Sequence, residues 1–225
     1  MPENLQPSPS LVALAADRGW GLEVLSATAG ALHAEPVQPI RSLRVNLVTG
    51  PSLVLGSSQS GIAAAPPAGV EVVVRRSGGG AVWLEPGSQV WVDVVIPTDD
   101  VEFTQDVGLS SLWLGAAWAQ CVGRGAVVWQ GGMQHRQEGS LACFAGVGPG
   151  EVLADGRKVV GISQRRTREL ARFQCVAYLR WEPSKLIEAL ECPPEVRNRL
   201  ETAAGELPES GGLWDTVERL VAALP

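Results

Sequence analysis

Apolar and polar residues alternate in short runs along the first four-fifths of the chain, and glycine or proline residues separate these runs. Runs of this length and period are typical of β-strands bounded by turns. In one run, Asp93 is a polar interruption on the face opposite three valines, and we expect it at a solvent-exposed sheet edge. The predicted strands cover 43–48, 52–56, 70–75, 89–97, 126–129, 151–154, 158–164 and 173–181.

A helical period replaces the alternation in four segments. Residues 106–122 predict a buried helix behind a cap at Asp106, and amphipathic helices are predicted at 183–190, 193–205 and 213–224. Together the elements predict an α+β fold, with a central mixed or antiparallel sheet flanked by helices and a short helical C-terminal segment. We expect a flexible tail at 1–10, the main domain at 11–182, and helices packed on it at 183–225.

Composition narrows the class of protein. A chain of 225 residues with 45% hydrophobic and 19% charged residues is ordinary for one globular domain. No apolar run reaches membrane-spanning length, and the net charge of −6 disfavours nucleic acid as a partner. The first residues lack the features of a secretory signal, so we expect a cytoplasmic protein. The four cysteines have no metal-ligand spacing, which predicts free thiols and no metal site.

Three consecutive glycines, Gly78, Gly79 and Gly80, lie between two predicted strands and directly behind two arginines. Without side chains, their backbone N–H groups are able to approach an anion or a carboxyl group closely. The segment matches neither the phosphate loop nor the dinucleotide fingerprint, and alone it is equally typical of a turn. A second segment, 155–166, has Lys158 entering a strand and Gly161 inside it, where glycine usually marks a close approach.

Together the two segments resemble the biotin/lipoate protein ligase superfamily, in the branch of lipoate–protein ligases and octanoyltransferases. That branch has a strand ending in Arg-x-[Ser/Thr]-Gly-Gly-Gly-Ala-Val-aromatic, and residues 75–83 read RRSGGGAVW. Its later Gly-Arg-Lys-hydrophobic-x-Gly-Ser-Ala-Gln-Arg segment is matched by residues 156–165, with Lys158 at the catalytic lysine. Residues 55–60, LGSSQS, resemble a weaker form of the Gly-x-x-Gln segment that precedes both.

The resemblance implies an enzyme that transfers a lipoyl or octanoyl group to the ε-amine of a lysine on a lipoyl carrier domain. The carrier would be of the dehydrogenase E2 subunit or glycine-cleavage H protein type, and the donor an acyl carrier protein or free lipoate or octanoate. Lys158 would stabilise the oxyanion with the glycine N–H groups, and Arg75 would hold the polar head of the donor. The implied substrate-binding residues are Arg75, Ser77, Gly78, Gly79, Gly80, Ala81, Gly161 and Ser163.

The family activates the acyl group in two ways. Ligases use ATP, with magnesium, to form an acyl-adenylate, whereas one type of octanoyltransferase holds the acyl group on a cysteine. In that type a Cys-Phe pair precedes the Gly-Arg-Lys segment at the separation found here for Cys143 and Phe144. A thiolate there would be favoured by the ammonium of Lys158, although most free cysteines are simply buried. Both routes stay open, and no tightly bound cofactor is expected.

The chain also departs from the family pattern. Leu84 and Cys175 stand where the family usually has histidines, and His135 is typical of a solvated surface residue. One alternative is therefore a protein that binds an acyl ligand or a carrier domain without modifying it. Another is a ligase whose accessory domain is supplied by a separate chain, since few residues follow the predicted domain.

Overall fold

A seven-stranded mixed sheet forms the centre of the computed structural model, which describes residues 6–62, 64–208 and 211–225. The strands are β1 (Gly21–Ala27), β2 (Ser42–Val48), β3 (Ser52–Leu55), β4 (Glu71–Val74), β5 (Val82–Leu84), β6 (Gln89–Pro97), β7 (Ala126–Val128), β8 (Val152–Ala154), β9 (Arg157–Arg166) and β10 (Leu170–Tyr178). The helices are α1 (Pro9–Asp17), α2 (Ala29–Ala34), α3 (Leu112–Val122), α4 (Arg136–Leu141), α5 (Ser184–Ala189), α6 (Pro194–Thr202) and α7 (Leu213–Ala223).

The large sheet has the order β1-β2-β6-β10-β9-β8-β7, and a second sheet has the order β4-β3-β5. In the large sheet β1 and β2 run parallel and the other neighbours antiparallel, while in the small sheet β3 is parallel to β4. All eight predicted strands are present, and the predicted α+β class is confirmed.

Each face of the large sheet covers a separate hydrophobic core. The period-2 alternation of β6 sends Val90, Val92 and Val94 into one core, which α1, α3 and α7 cover. Trp91 lies in the other core, between the large sheet, the small sheet and helices α5 and α6. The candidate site lies on this second face, because Phe144 and the residues after the glycine triplet pack there.

Several predicted boundaries are wrong. Helix α1 begins at Pro9, and the Ser8 hydroxyl caps it by accepting the Leu11 N–H at 3.2 Å, so the predicted flexible tail does not extend to residue 10. Residues 1–5 lie outside the described part of the chain. Helix α3 begins at Leu112 instead of near Asp106, whose carboxylate accepts two N–H groups in the preceding turn. Strand β1 and helix α2 were not predicted.

Asp93 is fully buried, so the expected exposed sheet edge is wrong. Its strand is central, and the buried side chain of Arg172 on neighbouring β10 pairs with the Asp93 carboxylate. Among the described residues, no helix has the length and apolar character needed to cross a bilayer.

Candidate active site

The glycine triplet lies directly against the segment that carries Cys143. The Ala81 N–H donates to the Leu141 carbonyl at 2.9 Å, and the Cys143 N–H donates to the Ala81 carbonyl at 2.9 Å. A Cβ on Gly80 would lie 2.3 Å from the Gly139 oxygen and 2.7 Å from the Cys143 nitrogen. Gly80 therefore lacks a side chain because the backbone of the cysteine segment occupies that space.

The third motif-like segment, residues 55–60, meets the same place. The Gln59 side-chain amide donates to the carbonyls of Ser140 at 2.8 Å and Leu141 at 2.9 Å, and its oxygen accepts the Gly56 N–H at 2.8 Å. A Cβ on Gly56 would lie 1.8 Å from the Gly79 oxygen. Three segments that are separate in the sequence thus lock together around the residues before Cys143.

Lys158 is buried beside Cys143. Its Nζ donates to the carbonyl oxygens of Cys143 at 2.8 Å and Gly146 at 3.1 Å, and it lies 2.7 Å from a carboxylate oxygen of Glu151. The Nζ is 3.6 Å from the Cys143 Sγ. Burial by itself lowers the pKa of Lys158, but Cys143 and the Glu151 carboxylate together raise it above its ordinary value. Lys158 is therefore a positive charge at neutral pH, fixed next to the thiol.

Glu151 is a site residue that the sequence analysis missed. One carboxylate oxygen accepts from Lys158 and, at 2.7 Å, from the Gly148 N–H, and the other accepts the Ile162 N–H at 3.2 Å. Glu151 is 5% exposed and is therefore buried. Both of its carboxylate oxygens accept hydrogen bonds from the three donors just described. Its position at the start of a predicted strand, joined by a tight turn to the strand of Lys158, could have indicated the pairing.

Arg75 organises the glycine segment. Its guanidinium donates to the carbonyls of Gly78 at 2.7 Å and Gly80 at 2.9 Å, and to the Ser77 hydroxyl at 3.1 Å. Within the described residues, the N–H groups of the three glycines have no hydrogen-bond acceptor. The carbonyls are thus drawn to Arg75 while the N–H groups stay available. Whether Arg75 also holds a donor head group stays a prediction.

Two cavities meet at Cys143. The first is mainly apolar and is lined by His33, Val54, Arg75, Val82, Leu84, Trp91, Cys143, Phe144, Gly161, Ser163, Gln174 and Val176. The second is more polar and is lined by Arg75, Gly78, Gly79, Gly80, Met133, Gly139, Cys143, Gly146, Glu151, Lys158, Ile162, Ser163 and Gln164. Cys143, Arg75 and Ser163 line both cavities, so the thiol stands between an apolar and a polar compartment.

Of the other predicted binding residues, Gly161 and Ser163 line the apolar cavity and Ala81 does not. Gly161 lies so close to the thiol that a Cβ there would be 3.4 Å from the Cys143 Sγ, and Ser163 contacts the Ser77 hydroxyl at 3.1 Å. Ala81 is fully buried and lines neither cavity, and its contact with the site is the backbone pairing described above.

The C-terminal segment contacts the elements that carry Cys143 and Lys158. The Arg199 Nε donates to the Ala145 carbonyl at 3.2 Å, and the Lys158 N–H donates to the Ala203 carbonyl at 2.8 Å. The ring of Phe144 contacts that of Trp181, with centroids 5.2 Å apart. The helices after the main sheet therefore hold the turn that contains Cys143 and also the strand of Lys158.

The two positions that lack the family's histidines behave differently. Leu84 lines the apolar cavity, whereas Cys175 is fully buried on the opposite face of the sheet, where burial raises its pKa. Gln174 and Val176, the neighbours of Cys175, point to the cavity instead. A residue at position 175 therefore has no access to the site, because alternation along β10 turns it away.

The remaining cysteines and histidines differ in whether they line the cavities at the site. Burial raises the pKa of Cys121 to about 12 and also raises that of Cys192, and neither lines the two cavities at the site. His135 is exposed, as predicted, with 42% of its side-chain surface accessible. His33, which the sequence analysis gave no role, lines the apolar cavity with Trp91 and Gln174. No local sequence signal marks these three, because they come from distant elements.

Comparison with known proteins places this geometry in context. A model of the biotin/lipoate A/B protein ligase family matches residues 54–180, more than half of the chain. No curated protein sequence matches this chain. Among solved structures, the chain is similar to lipoate-protein ligase A bound with ATP, with 14% identity, a TM-score of 0.60, and coverage of 97% of this chain and 80% of that one.

Two further similar structures come from Thermoplasma acidophilum. One is a bi-partite lipoate protein ligase with its E2 lipoyl domain, with 14% identity, a TM-score of 0.63, and coverage of 97% of this chain and 78% of that one. The other is protein Ta0514 with bound lipoic acid, with 16% identity, a TM-score of 0.53, and coverage of 96% and 90%. At such identities the likeness shows a shared fold.

Proposed function

Because the chain belongs to the biotin/lipoate A/B protein ligase family, we propose that it attaches a lipoyl or octanoyl group to the ε-amine of a lysine on a lipoyl carrier domain. We further propose that Cys143 carries the acyl group as a thioester between donor and acceptor. The carrier domain, of the dehydrogenase E2 or glycine-cleavage H protein type, is the expected protein partner. A solved relative in fold was determined with its E2 lipoyl domain, which is consistent with this partner.

The observation that carries the proposal is the position of Cys143. Its side chain stands where the apolar cavity meets the polar one, and the Lys158 ammonium lies 3.6 Å from its Sγ. An acyl chain in the apolar cavity would bring its carboxyl carbon to this junction. The thiolate is the reactive form of cysteine, and the Lys158 ammonium is placed to attract its negative charge during the reaction. Cys121, Cys175 and Cys192 lie away from this junction, in the packed cores.

In the first step the Cys143 thiolate attacks the acyl carbonyl carbon of a donor thioester, such as that of an acyl carrier protein. A bond forms between this carbon and the Cys143 Sγ, and the bond to the donor sulfur breaks, so the donor leaves as a thiolate. Negative charge develops on the carbonyl oxygen in the transition state. The N–H groups of Gly78, Gly79 and Gly80, which have no acceptor among the described residues and line the polar cavity with Cys143, would donate to it, and the charge of Lys158 adds to their effect.

In the second step the uncharged ε-amine of the acceptor lysine attacks the Cys143 thioester. A carbon–nitrogen bond forms, the carbon–sulfur bond breaks, and the thiolate of Cys143 is regenerated while the amine loses a proton to solvent. Glu151 and the two carbonyls hold Lys158 through both steps. Arg75 and Gln59 keep the backbone around the thiol in place, so the reacting atoms need little reorganisation.

The ATP-dependent route, with magnesium, is the second candidate, since a solved structure of similar fold is bound with ATP. In that route a nucleotide would lie in the polar cavity. An ammonium has three N–H donors, and those of Lys158 already contact two carbonyls and a carboxylate. Phosphate binding would have to displace these contacts, whereas the thioester route uses them as they are. Among the described residues, no cluster of three or more His, Cys, Asp or Glu is placed to hold a metal ion.

The donor experiment tests the proposal. The purified protein is mixed with octanoyl acyl carrier protein, or with lipoate, ATP and magnesium, and with an isolated lipoyl domain as acceptor. Mass spectrometry is expected to show an octanoyl adduct on Cys143 and then on the lipoyl-domain lysine. Cys143→Ala abolishes both adducts, whereas Cys192→Ala, which alters a buried cysteine away from the site, leaves both in place.

Three results would contradict the proposal. ATP-dependent lipoyl transfer that survives Cys143→Ala, with no adduct on the cysteine, would replace the thioester by an adenylate. No transfer with either donor would favour a protein that binds an acyl ligand or a carrier domain without modifying it. Transfer unaffected by Lys158→Ala would remove the role assigned to Lys158. Transfer that appears only after a second chain is added would assign the missing part of the machinery to that chain.

A further inference from the structure

His33 is held in the wall of the apolar cavity by contacts at both ends of its short helix. At the start of α2, the Glu71 carboxylate accepts the Gly30 N–H at 3.2 Å. At its end, the Arg172 guanidinium donates to the Leu32 carbonyl at 3.4 Å. The ring of His33 lies against the ring of Trp91, with centroids 4.6 Å apart. The imidazole therefore has a defined position in the cavity wall.

Asp93 connects the groups that surround His33. Its carboxylate accepts from the Arg172 Nε at 3.0 Å, from the Trp91 Nε1 at 3.0 Å and from the Gln174 Nε2 at 3.4 Å. Trp91 and Gln174 both contact the imidazole, and Arg172 holds its helix. A buried ion pair is costly to desolvate and seldom adds net stability. Here its evident effect is to fix the three neighbours of His33.

These contacts also decide which nitrogen of His33 carries the proton. The Gln174 amide faces the Asp93 carboxylate, which only accepts, so the NH2 group is on that side. The amide oxygen accepts the Ser77 hydroxyl at 2.9 Å, in agreement with this orientation. The same NH2 lies 3.2 Å from the His33 Nδ1, which must therefore accept. The proton of an uncharged imidazole is then on Nε2.

His33 stays uncharged at neutral pH. Burial, with smaller contributions from the charges of Arg75 and Arg172, lowers the pKa of His33 to about 3. Within the described part of the chain, the His33 Nε2 has no hydrogen-bond partner. His33 lines the mainly apolar cavity, so its Nε2–H is a donor that it can offer to a ligand there.

The donor lies away from the thiol, across the sheet. Cys143 is next to Gly161 on β9, whereas His33 rests on Trp91 of β6, and β10 runs between these strands. Two strand spacings correspond to about 10 Å. An acyl chain with its carboxyl carbon at Cys143 would therefore meet His33 with a distal part, beyond the reacting atoms.

We propose that His33 is a specificity-determining residue, whose Nε2–H donates to an oxygen or sulfur atom on the distal part of the acyl chain. This inference rests on the proposed function, which puts the acyl chain in the apolar cavity. A plain alkanoyl chain would cover the donor without pairing it, and an unpaired buried donor is unfavourable. The site would thus favour an acyl group with a distal acceptor, such as a hydroxyl or a dithiolane, over octanoyl.

Three acids of equal backbone length test this: octanoate, lipoate and 8-hydroxyoctanoate. Their affinities are measured by the change in tryptophan fluorescence, since Trp91 lines the cavity, and their transfer as donor thioesters is measured by mass spectrometry. We expect 8-hydroxyoctanoate to be favoured over octanoate by about tenfold, and lipoate by less, since sulfur is a weaker acceptor. His33→Phe keeps a ring on Trp91 and is expected to reduce both preferences to near one, while His33→Gln, which supplies an N–H, keeps part of them.

The controls separate this inference from the proposed function. His135→Asn alters the exposed histidine and should keep the selectivity of the unaltered protein. Normal transfer with the same preference in His33→Phe would overturn the inference and leave the function intact. Selective binding without transfer would overturn the proposed function and leave the inference on His33 intact. If His33→Phe does not fold, the affinities of the unaltered protein for the three acids are the test. A preference for octanoate over both other acids, or binding of none of them, would refute the role of His33.

Discussion

Replacing the Glu151 carboxylate by an amide, in Glu151→Gln, keeps the shape of the side chain and removes the charge that faces Lys158. In the native site, the carboxylate oxygens accept from Lys158, from the Gly148 N–H and from the Ile162 N–H. A glutamine has one oxygen for these three donors. Whichever way its amide turns, its NH2 group meets at least one other buried donor.

The expected loss of stability follows from these contacts. Both side chains of the pair are at most 7% exposed, so the lone ammonium would have to be desolvated without a countercharge. Removing one partner of a buried pair typically costs about 3–5 kcal/mol. Since the whole domain is stabilised by about 5–15 kcal/mol, Glu151→Gln is expected to remove a large fraction of its stability. Adding Lys158→Met should recover part of that loss, because it removes the uncompensated charge.

Unfolding in urea, followed by tryptophan fluorescence, measures these free energies. Asp215→Asn is the matched control, because Asp215 pairs with Arg219 at 3.0 Å on the surface of α7 and 50% of its side chain is exposed. That change should cost less than about 1 kcal/mol. A Glu151→Gln protein within 1 kcal/mol of the unaltered one, or a double variant as unstable as the sum of the single variants, would refute this account of the pair.

Three further outcomes are expected. Gly80→Ala should destabilise the protein by about 1–3 kcal/mol and slow acyl transfer, because its Cβ would lie 2.3 Å from a backbone oxygen. Gly50→Ala, which has no atom within 4 Å and lies outside both cavities, should do neither, and thermal unfolding and the transfer assay compare the two variants. The hydrogen bond from Arg41 lowers the pKa of Asp100, so the stability from this pair is present above about pH 4 and lost as pH falls through the lowered value. Asp100→Asn should cost about 1 kcal/mol at pH 7 and progressively less as the pH falls below about 4, and a cost that does not change with pH would contradict the assignment. Arg199→Met removes the hydrogen bond to the Ala145 carbonyl and so frees the turn that carries the thiol. It should lower the acylation rate of Cys143 by about tenfold with little loss of stability, and an unchanged rate would remove this positioning role.

Much of the fold followed from local pattern. Alternation and turn residues located eight strands, because successive side chains of a strand point to opposite faces of the sheet whichever strands it pairs with. The glycine triplet stood out in the same way, whereas Lys158 and Cys143 became candidates through the family resemblance. The segment at 55–60, the weakest of the resemblances, lies against the glycine triplet and against the residues before Cys143.

The same local pattern misjudged Asp93. Alternation gave the face on which Asp93 lies, but it carried no information on what covers that face. Arg172, from a strand that is distant in the sequence, covers and pairs with it. Helix α1 was likewise missed in part, because a proline and a serine that suggest a tail are also typical of a helix start.

The sequence by itself determined the class of fold, and through the family resemblance it made the glycine segment, Lys158 and Cys143 candidates, because each of these rests on residues that are neighbours along the chain. Only the tertiary structure decided that Glu151 pairs with Lys158, that Cys175 faces away from the site, and that His33 reaches Gln174 from 141 residues away. These facts depend on strand order, register and the packing of one sheet on another. Local pattern does not encode them, because long-range contacts are set by the free energy of the whole fold.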